Sequence, residues 1–308
     1  MVHRLPPLHT GKPRHEHGVI RPIDGASLPF AVIEGEAPGP CLLVTAGIHG
    51  SEYTSIEAAL RLSRRPARGL RGSILVLPVI NMSALRQRAI YVAPEDGRNL
   101  NRMFPGRSDG SFTERLAHWL MTEVYPLADA YLDLHGGDLS EALAPFSLFP
   151  RDSEASRELA AVFGLPVAVA AGGEGYTINA ASRLGKPSVL AEVGGNGVWA
   201  EDGVAQLLAG IDRVLAHLGM IHTRPAPAGP VRVMTMWVPT ADEEGLWYPA
   251  KRLGEEVQAG ETIGEIRTLF GDVIATVAAR EAGSVLYTLS SLWVNKGEAL
   301  LGVGTLLE

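Results

Sequence analysis

The strongest constraint on the fold is a regular alternation of apolar runs with amphipathic stretches over residues 41–220. "CLLVTAG" (41–47) has the length and composition of a buried strand. "SEYTSIEAALRLSRR" (51–65) has helical spacing, with Ser51 a candidate N-cap. "GSILVLPVI" (72–80) is again a strand. After a long polar segment (81–110) the pattern resumes: a helix at 112–128 with Thr113 as candidate cap, then a strand at "AYLDLHG" (130–136). Strands follow at 146–150, 166–171 and 187–195, and helices at 153–164, 177–185 and 203–220. Apolar strands alternating with amphipathic helices predict an α/β domain with a mixed, largely parallel sheet and helices on both faces.

The flanks differ. Residues 1–17, rich in His, Pro and basic residues, read as a flexible arm, and "GVIRPID" and "LPFAVIEG" around a Gly-containing turn read as a hairpin or edge strands. "HTRPAPAGP" (222–230) has the composition of a linker. Beyond it, short Val/Ile/Thr runs punctuated by Gly predict a small all-β domain over 231–308. The expected organisation is therefore an arm (1–17), an α/β domain (18–221), a linker (222–230) and a β domain (231–308).

Composition narrows the function classes. Hydrophobic residues make up 46% of the 308, enough for a sizeable core, and the net charge of −7 argues against a nucleic-acid partner. The single cysteine, Cys41, excludes an intrachain disulfide. No run is long enough to span a membrane, and the opening residues lack the apolar centre of a signal peptide. The expectation is a soluble, cytoplasmic protein with no membrane partner.

In open α/β sheets, ligands bind outside the carboxyl ends of the strands, and four acid or imidazole groups fall at such ends here. His49 and Glu52 follow "CLLVTA", His135 ends "YLDLH", and Glu192 ends "SVLAE". Gly47 and Gly50 around His49 allow a close backbone turn. His49, Glu52 and His135 form a three-ligand set with an open position, the pattern of a catalytic zinc, and Asp133 could orient an imidazole. Taken singly, Gly-His-Gly is commonly a turn and Glu52 a favourable first-turn acid. Their occurrence together at three strand ends points to a site. Asn99 and Asn101 both have turn-forming side chains.

"GIHGSE", "DGRNLNRMFPG", "DLHGG" and "AEVGG", in this order and spacing, resemble the succinylglutamate desuccinylase/aspartoacylase family of the zinc carboxypeptidase clan. The resemblance implies one zinc ion per chain held by His49, Glu52 and His135. It implies Glu192 as general base, and Asn101 and Arg102 as the pair gripping a substrate carboxylate. Arg88 matches the oxyanion-stabilising arginine, with Arg86 as its competitor. For Asn99 the turn-former reading is preferred. The implied activity is zinc-dependent deacylation of a small N-acyl amino acid. The alternatives are a metallocarboxypeptidase acting on peptides and a zinc-containing binding protein without turnover. The implied architecture is zinc-carboxypeptidase-like with a C-terminal barrel-sandwich-like β domain, and a homo-oligomer is compatible with it.

Other features read as decoys. His15 and His17 in "HEHG" read as a solvated arm, and His9, His118, His217 and His222 as helix-face or linker residues. Arg183 reads as a solvated helix end, and Tyr248 is at most a candidate substrate contact. "GEEVQAGETIGEI" has the Gly-spaced turns of biotinyl/lipoyl-type barrels, but Phe270-Gly271-Asp272 stands where a carrier would present a lysine.

Overall fold

The computed structural model describes residues 4–307. Its first strands, β1 (Arg14–Ile20) and β2 (Leu28–Glu34), form an antiparallel hairpin. The expected arm therefore ends at Arg14, because His15, Glu16 and His17 pair with Ile33, Val32 and Ala31. The two histidines are exposed, as a sheet-edge position allows. Thr10, the Gly11 amide and Arg14 all donate to the buried carboxylate of Glu34, which fastens the segment before β1 to β2.

The alternating core follows as β3 (Ala37–Ala46), α1 (Tyr53–Leu62), β4 (Arg71–Leu77), α2 (Met82–Gln87), α3 (Phe112–Trp119), β5 (Ala130–His135), β6 (Glu141–Leu143), β7 (Phe146–Pro150), α4 (Glu154–Phe163), β8 (Val167–Ala171), α5 (Thr177–Arg183), β9 (Ser188–Glu192) and α6 (Glu201–His217). The C-terminal region adds β10 (Arg232–Trp237), β11 (Gly245–Pro249), β12 (Glu256–Val257), β13 (Thr262–Arg267), β14 (Val273–Ala278), β15 (Gly283–Leu289), β16 (Trp293–Val294) and β17 (Leu301–Leu306).

Two features depart from the sequence expectation. The 81–110 segment contains α2, capped by Asn81 through its side-chain oxygen and the Ala84 amide at 3.1 Å, and a 3-10 turn over Leu100–Arg102. Neither cap candidate is used. Glu52 occupies the N-cap position of α1, and α3 starts from Ser111 with a Ser111/Glu114 capping box.

One sheet of 13 strands runs in the order β1-β2-β4-β3-β5-β9-β7-β8-β10-β17-β15-β12, with β6 paired to β15. Strands β4, β3, β5 and β9 are mutually parallel, whereas β1, β2, β7 against β9 and most of the C-terminal limb are antiparallel. The parallel character is thus confined largely to the centre, where helices cover both faces. Leu42, Val44 and Ala46 of β3 pack with α1, α4 and α6, while the alternate Cys41 and Leu43 pack with α3 and α5. Each fully buried aliphatic side chain in these layers contributes roughly 1.5–3 kcal/mol.

Residues 222–230 carry no helix or strand. The strands beyond them enclose a core of their own, including Trp247, Ile263, Ile266, Val285 and Val303. They are also hydrogen-bonded into the main sheet, because β10 pairs with β8 and β15 pairs with β6. A second sheet, β14-β13-β11-β16, lies over that core. The hairpin that lacks the carrier lysine is β13–β14, and Phe270 at its tip is 95% exposed.

Candidate metal centre

The chain leaves β3 for β4 on one side and returns to β5 on the other. The gap between the carboxyl ends of β3 and β5 is therefore the topological switch point, where such sheets bind ligands. His49 and Glu52 lie just beyond β3, His135 ends β5, and Glu192 ends β9 directly opposite His135 in the ladder. Gly47 has φ +64, a conformation few other residues adopt. A Cβ at Gly50 would meet Ala84 C at 2.2 Å, so the metal loop and α2 pack backbone to backbone.

His49, Glu52 and His135 are buried, and one potential ligand atom from each lies within 4.8 Å of the others. His49 Nδ1 is 2.6 Å from Glu52 Oε1, and His135 Nδ1 is 3.1 Å from Glu52 Oε2. The outer ring nitrogens are held separately. His49 Nε2 is 3.1 Å from Asn99 Oδ1, and His135 Nε2 is 3.0 Å from Asp133 Oδ2. Asn99 Oδ1 also accepts the Asn101 amide at 2.9 Å, which identifies it as an acceptor. A carboxylate likewise only accepts. Asn99 and Asp133 thus offer acceptors to the Nε2 side of the two imidazoles, and both rings turn Nδ1 toward Glu52.

Two ring nitrogens facing one buried carboxylate are stable only with a proton or a metal ion between them. Glu52 Oε2, although 3.1 Å from His135 Nδ1, is misaligned for hydrogen bonding and has no such partner. An orphaned buried carboxylate oxygen beside two imidazole nitrogens is a donor set that fits a divalent cation with N and O ligands. The electrostatics agree. Burial alone would raise the Glu52 carboxyl, but the His135 and His49 imidazoles outweigh it and hold the group at about 2. Burial would depress His135, yet Glu52 and Asp133 push it well above the usual imidazole range. Glu192 is pushed well above the ordinary carboxyl range by burial, and the nearby carboxylates of Glu52, Glu141 and Asp133 add to the rise.

Asp133 is fully buried, and Thr45 and Thr177 each donate a hydroxyl to it at 2.6 Å. A carboxylate fixed on three sides fixes the His135 ring in turn. Asn99, taken from the sequence as a turn former, both caps the 3-10 turn and holds His49. Thr45 and Thr177 carry no motif of their own.

The remaining candidates are placed around this cluster. Asn101 is buried, and its Oδ1 accepts the Thr177 amide at 2.9 Å. Arg102 is exposed and pairs with neither Asp96 nor Asp109. Its guanidinium lies over the Tyr176 ring at 4.4 Å, and Nη1 donates to the Asn101 carbonyl at 2.8 Å. Arg86 and Arg88 are both exposed, the first in the last turn of α2 and the second at its left-handed C-cap, φ 55. Ser51 donates to Asp138, and its Oγ lies 3.2 Å from the Ala89 carbonyl, so the segment after Arg88 sits against the loop that carries His49 and Glu52. Tyr91 stands edge-on to His49, with ring centroids 5.8 Å apart, and donates to Glu141. Arg183 pairs with Glu174 at 2.8 Å, and Tyr248 lies under Arg267 at 4.7 Å.

A family model of the succinylglutamate desuccinylase/aspartoacylase catalytic domain matches residues 38–218. The N-alpha-acetyl-L-2,4-diaminobutyric acid deacetylase of Halomonas elongata is 31% identical over 299 residues, covering 91% of this chain and 86% of that protein. Among solved structures, a succinylglutamate desuccinylase/aspartoacylase from Rhodobacter sphaeroides superposes with a TM-score of 0.87 at 28% identity, over 99% of both chains. The product-bound ectoine utilization protein EutE (DoeB) from Ruegeria pomeroyi does so with a TM-score of 0.87 at 26% identity, over 97% of both chains.

Proposed function

We propose that this chain, which belongs to the succinylglutamate desuccinylase/aspartoacylase family, hydrolyses the amide bond of a small N-acyl amino acid at one zinc ion. The observation that carries the reading is the paired presentation of His49 Nδ1 and His135 Nδ1 to Glu52, each imidazole held from behind through Nε2. His49, Glu52 and His135 would hold the ion and leave a position open. Zinc bound there lowers the pKa of a water toward ~7 and polarises an acyl carbonyl.

The other roles fall to residues around that centre. Glu192, beside His135 on the adjacent strand, takes the proton from the attacking water and returns it to the departing amine nitrogen. The water oxygen joins the acyl carbon as the C–N bond breaks, giving a carboxylic acid and a free amino acid. Arg88 offsets the charge that grows on the carbonyl oxygen. Arg102, its plane supported by Tyr176, and Asn101 hold the substrate carboxylate. The Halomonas relative's substrate, a small N-acetylated amino acid by its name, supports this class.

The test is an amine-release screen across N-acyl amino acids and short peptides, using protein loaded with zinc and protein treated with chelator. Release from N-acyl amino acids, lost with chelator and restored by zinc, is expected. Release from peptide C-termini alone would make the chain a carboxypeptidase, and no release from any substrate would make it a binding protein.

A further inference from the structure

The contacts at Nδ1 and Nε2 lie on opposite sides of the His49 ring, so by themselves they leave it free to roll about the line between them. Two aromatic rings oppose that roll by crossing the imidazole near a right angle. The His135 ring does so with centroids 5.0 Å apart at 81°, and the Tyr91 ring with centroids 5.8 Å apart at 89°. His135 is fixed by its strand and by Asp133. Tyr91 belongs to no helix or strand, so its ring has to be fixed by side-chain contacts.

Those contacts grip Tyr91 at both ends. Its amide donates to Asp138 Oδ2 at 2.9 Å, and its phenol donates to Glu141 Oε1. Both acids are buried, and each is anchored in turn. Asp138 Oδ1 accepts the Leu139 amide at 3.0 Å and the hydroxyl of Ser51, two residues from His49. Glu141 Oε2 accepts the Asp138 amide at 2.9 Å. Neither acid is hydrogen-bonded to His49, Glu52 or His135 among the described residues, so a place in the ligand set does not account for them. The residue they hold has φ 57, a left-handed backbone that a bulky side chain rarely adopts and that persists only where the surroundings impose it.

We propose that Tyr91 is a positioning residue for His49, and that Asp138 and Glu141 form the clamp that keeps its ring against the imidazole. The inference rests on the reading of His49, Glu52 and His135 as a metal site.

Binding of Co2+, a coloured probe for a zinc site, tests it on the full chain. Titration gives the affinity, and the visible absorption of the bound ion reports ligand geometry. Tyr91→Ala should raise the Co2+ dissociation constant about 10–100-fold, the range for losing a partner behind a metal ligand, and should alter the spectrum. Tyr91→Phe keeps the ring and every charge but frees the far end of the side chain. It should shift both readouts in the same direction by less, with circular dichroism unchanged. Ile90→Ala, a change at the exposed neighbour in the same segment, should leave both native. Native affinity and spectrum in both Tyr91 variants would overturn the proposal. So would a lowered Tm without any change at the Co2+ site, or an equal effect from Ile90→Ala. A native chain that binds no Co2+ would remove the metal reading itself, and this inference with it.

Discussion

Replacing Asp133 with Asn tests the part of the metal centre that the structure defines most sharply. Asp133 accepts from the Thr45 and Thr177 hydroxyls at 2.6 Å and from His135 Nε2 at 3.0 Å, all within the buried core. Asn has nearly the same shape but one acceptor oxygen for these three donors. If its amide nitrogen faces His135, the imidazole proton moves to Nδ1, and the nitrogen facing Glu52 can no longer ligate. If its oxygen faces His135, the hydroxyls lose a charged acceptor. Losing such an outer partner typically lowers metal affinity 10–100-fold, or about 1.4–2.8 kcal/mol. Zinc affinity measured by competition with a chromophoric chelator at neutral pH should fall by that factor. Thr177→Val, which removes one donor and leaves the carboxylate, should have a smaller effect in the same direction. Unchanged zinc affinity in Asp133→Asn would refute the argument that the acidic charge behind His135 fixes its tautomer.

Three further outcomes follow from other residues. Glu192→Ala should keep its zinc by elemental analysis while hydrolysis falls by about 10²–10⁴; activity surviving at the native level would remove Glu192 as the base. Arg102→Lys should raise KM for carboxylate substrates with kcat nearly retained, since the flat stack on Tyr176 and the two-pronged grip are lost together; an equal fall in kcat would place Arg102 in the reacting step instead. Glu34 is pushed up by its burial, but the Thr10 hydroxyl, the Gly11 amide and Arg14 outweigh that and hold it below the usual carboxyl range. Its contribution is therefore present above the unfolded pKa of ~4.3 and lost as pH falls below it. Glu34→Gln should lower Tm by a few degrees near pH 7, with the gap closing toward pH 3 in thermal melts.

The His49–Glu52–His135 cluster was legible in the sequence because each residue ends a strand or follows one directly, and parallel neighbours bring those ends to one side of the sheet. His135 and Glu192 needed only adjacent β5 and β9 to meet. The residues behind this cluster were not legible. Asn99 reaches His49 across 50 positions and Thr177 reaches Asp133 across 44, and neither contact leaves a local pattern. The six-residue α2 was too short to show a period, and its only signal was Asn81 before it. β1 was obscured because its His and Glu residues suggested a solvated arm, although alternating exposure is what an edge strand requires. Continuation of the sheet into the C-terminal region was hidden for the same reason as the long-range hydrogen bonds, since β8 and β10 pair across a stretch with linker composition.

That continuation ties the C-terminal region to the stretch of chain that follows His135. β15 is hydrogen-bonded to β6, and β6 begins six residues after His135, with Glu141 lodged beside the phenols of Tyr91 and Tyr287. Ser51, next to Glu52, donates to Asp138 on the same short span. Tyr287 to Leu289 of β15 thus pair with the three residues that begin at Glu141, so a substitution in β15 is expected to shift metal affinity at the His49–Glu52–His135 cluster, measured by chelator competition.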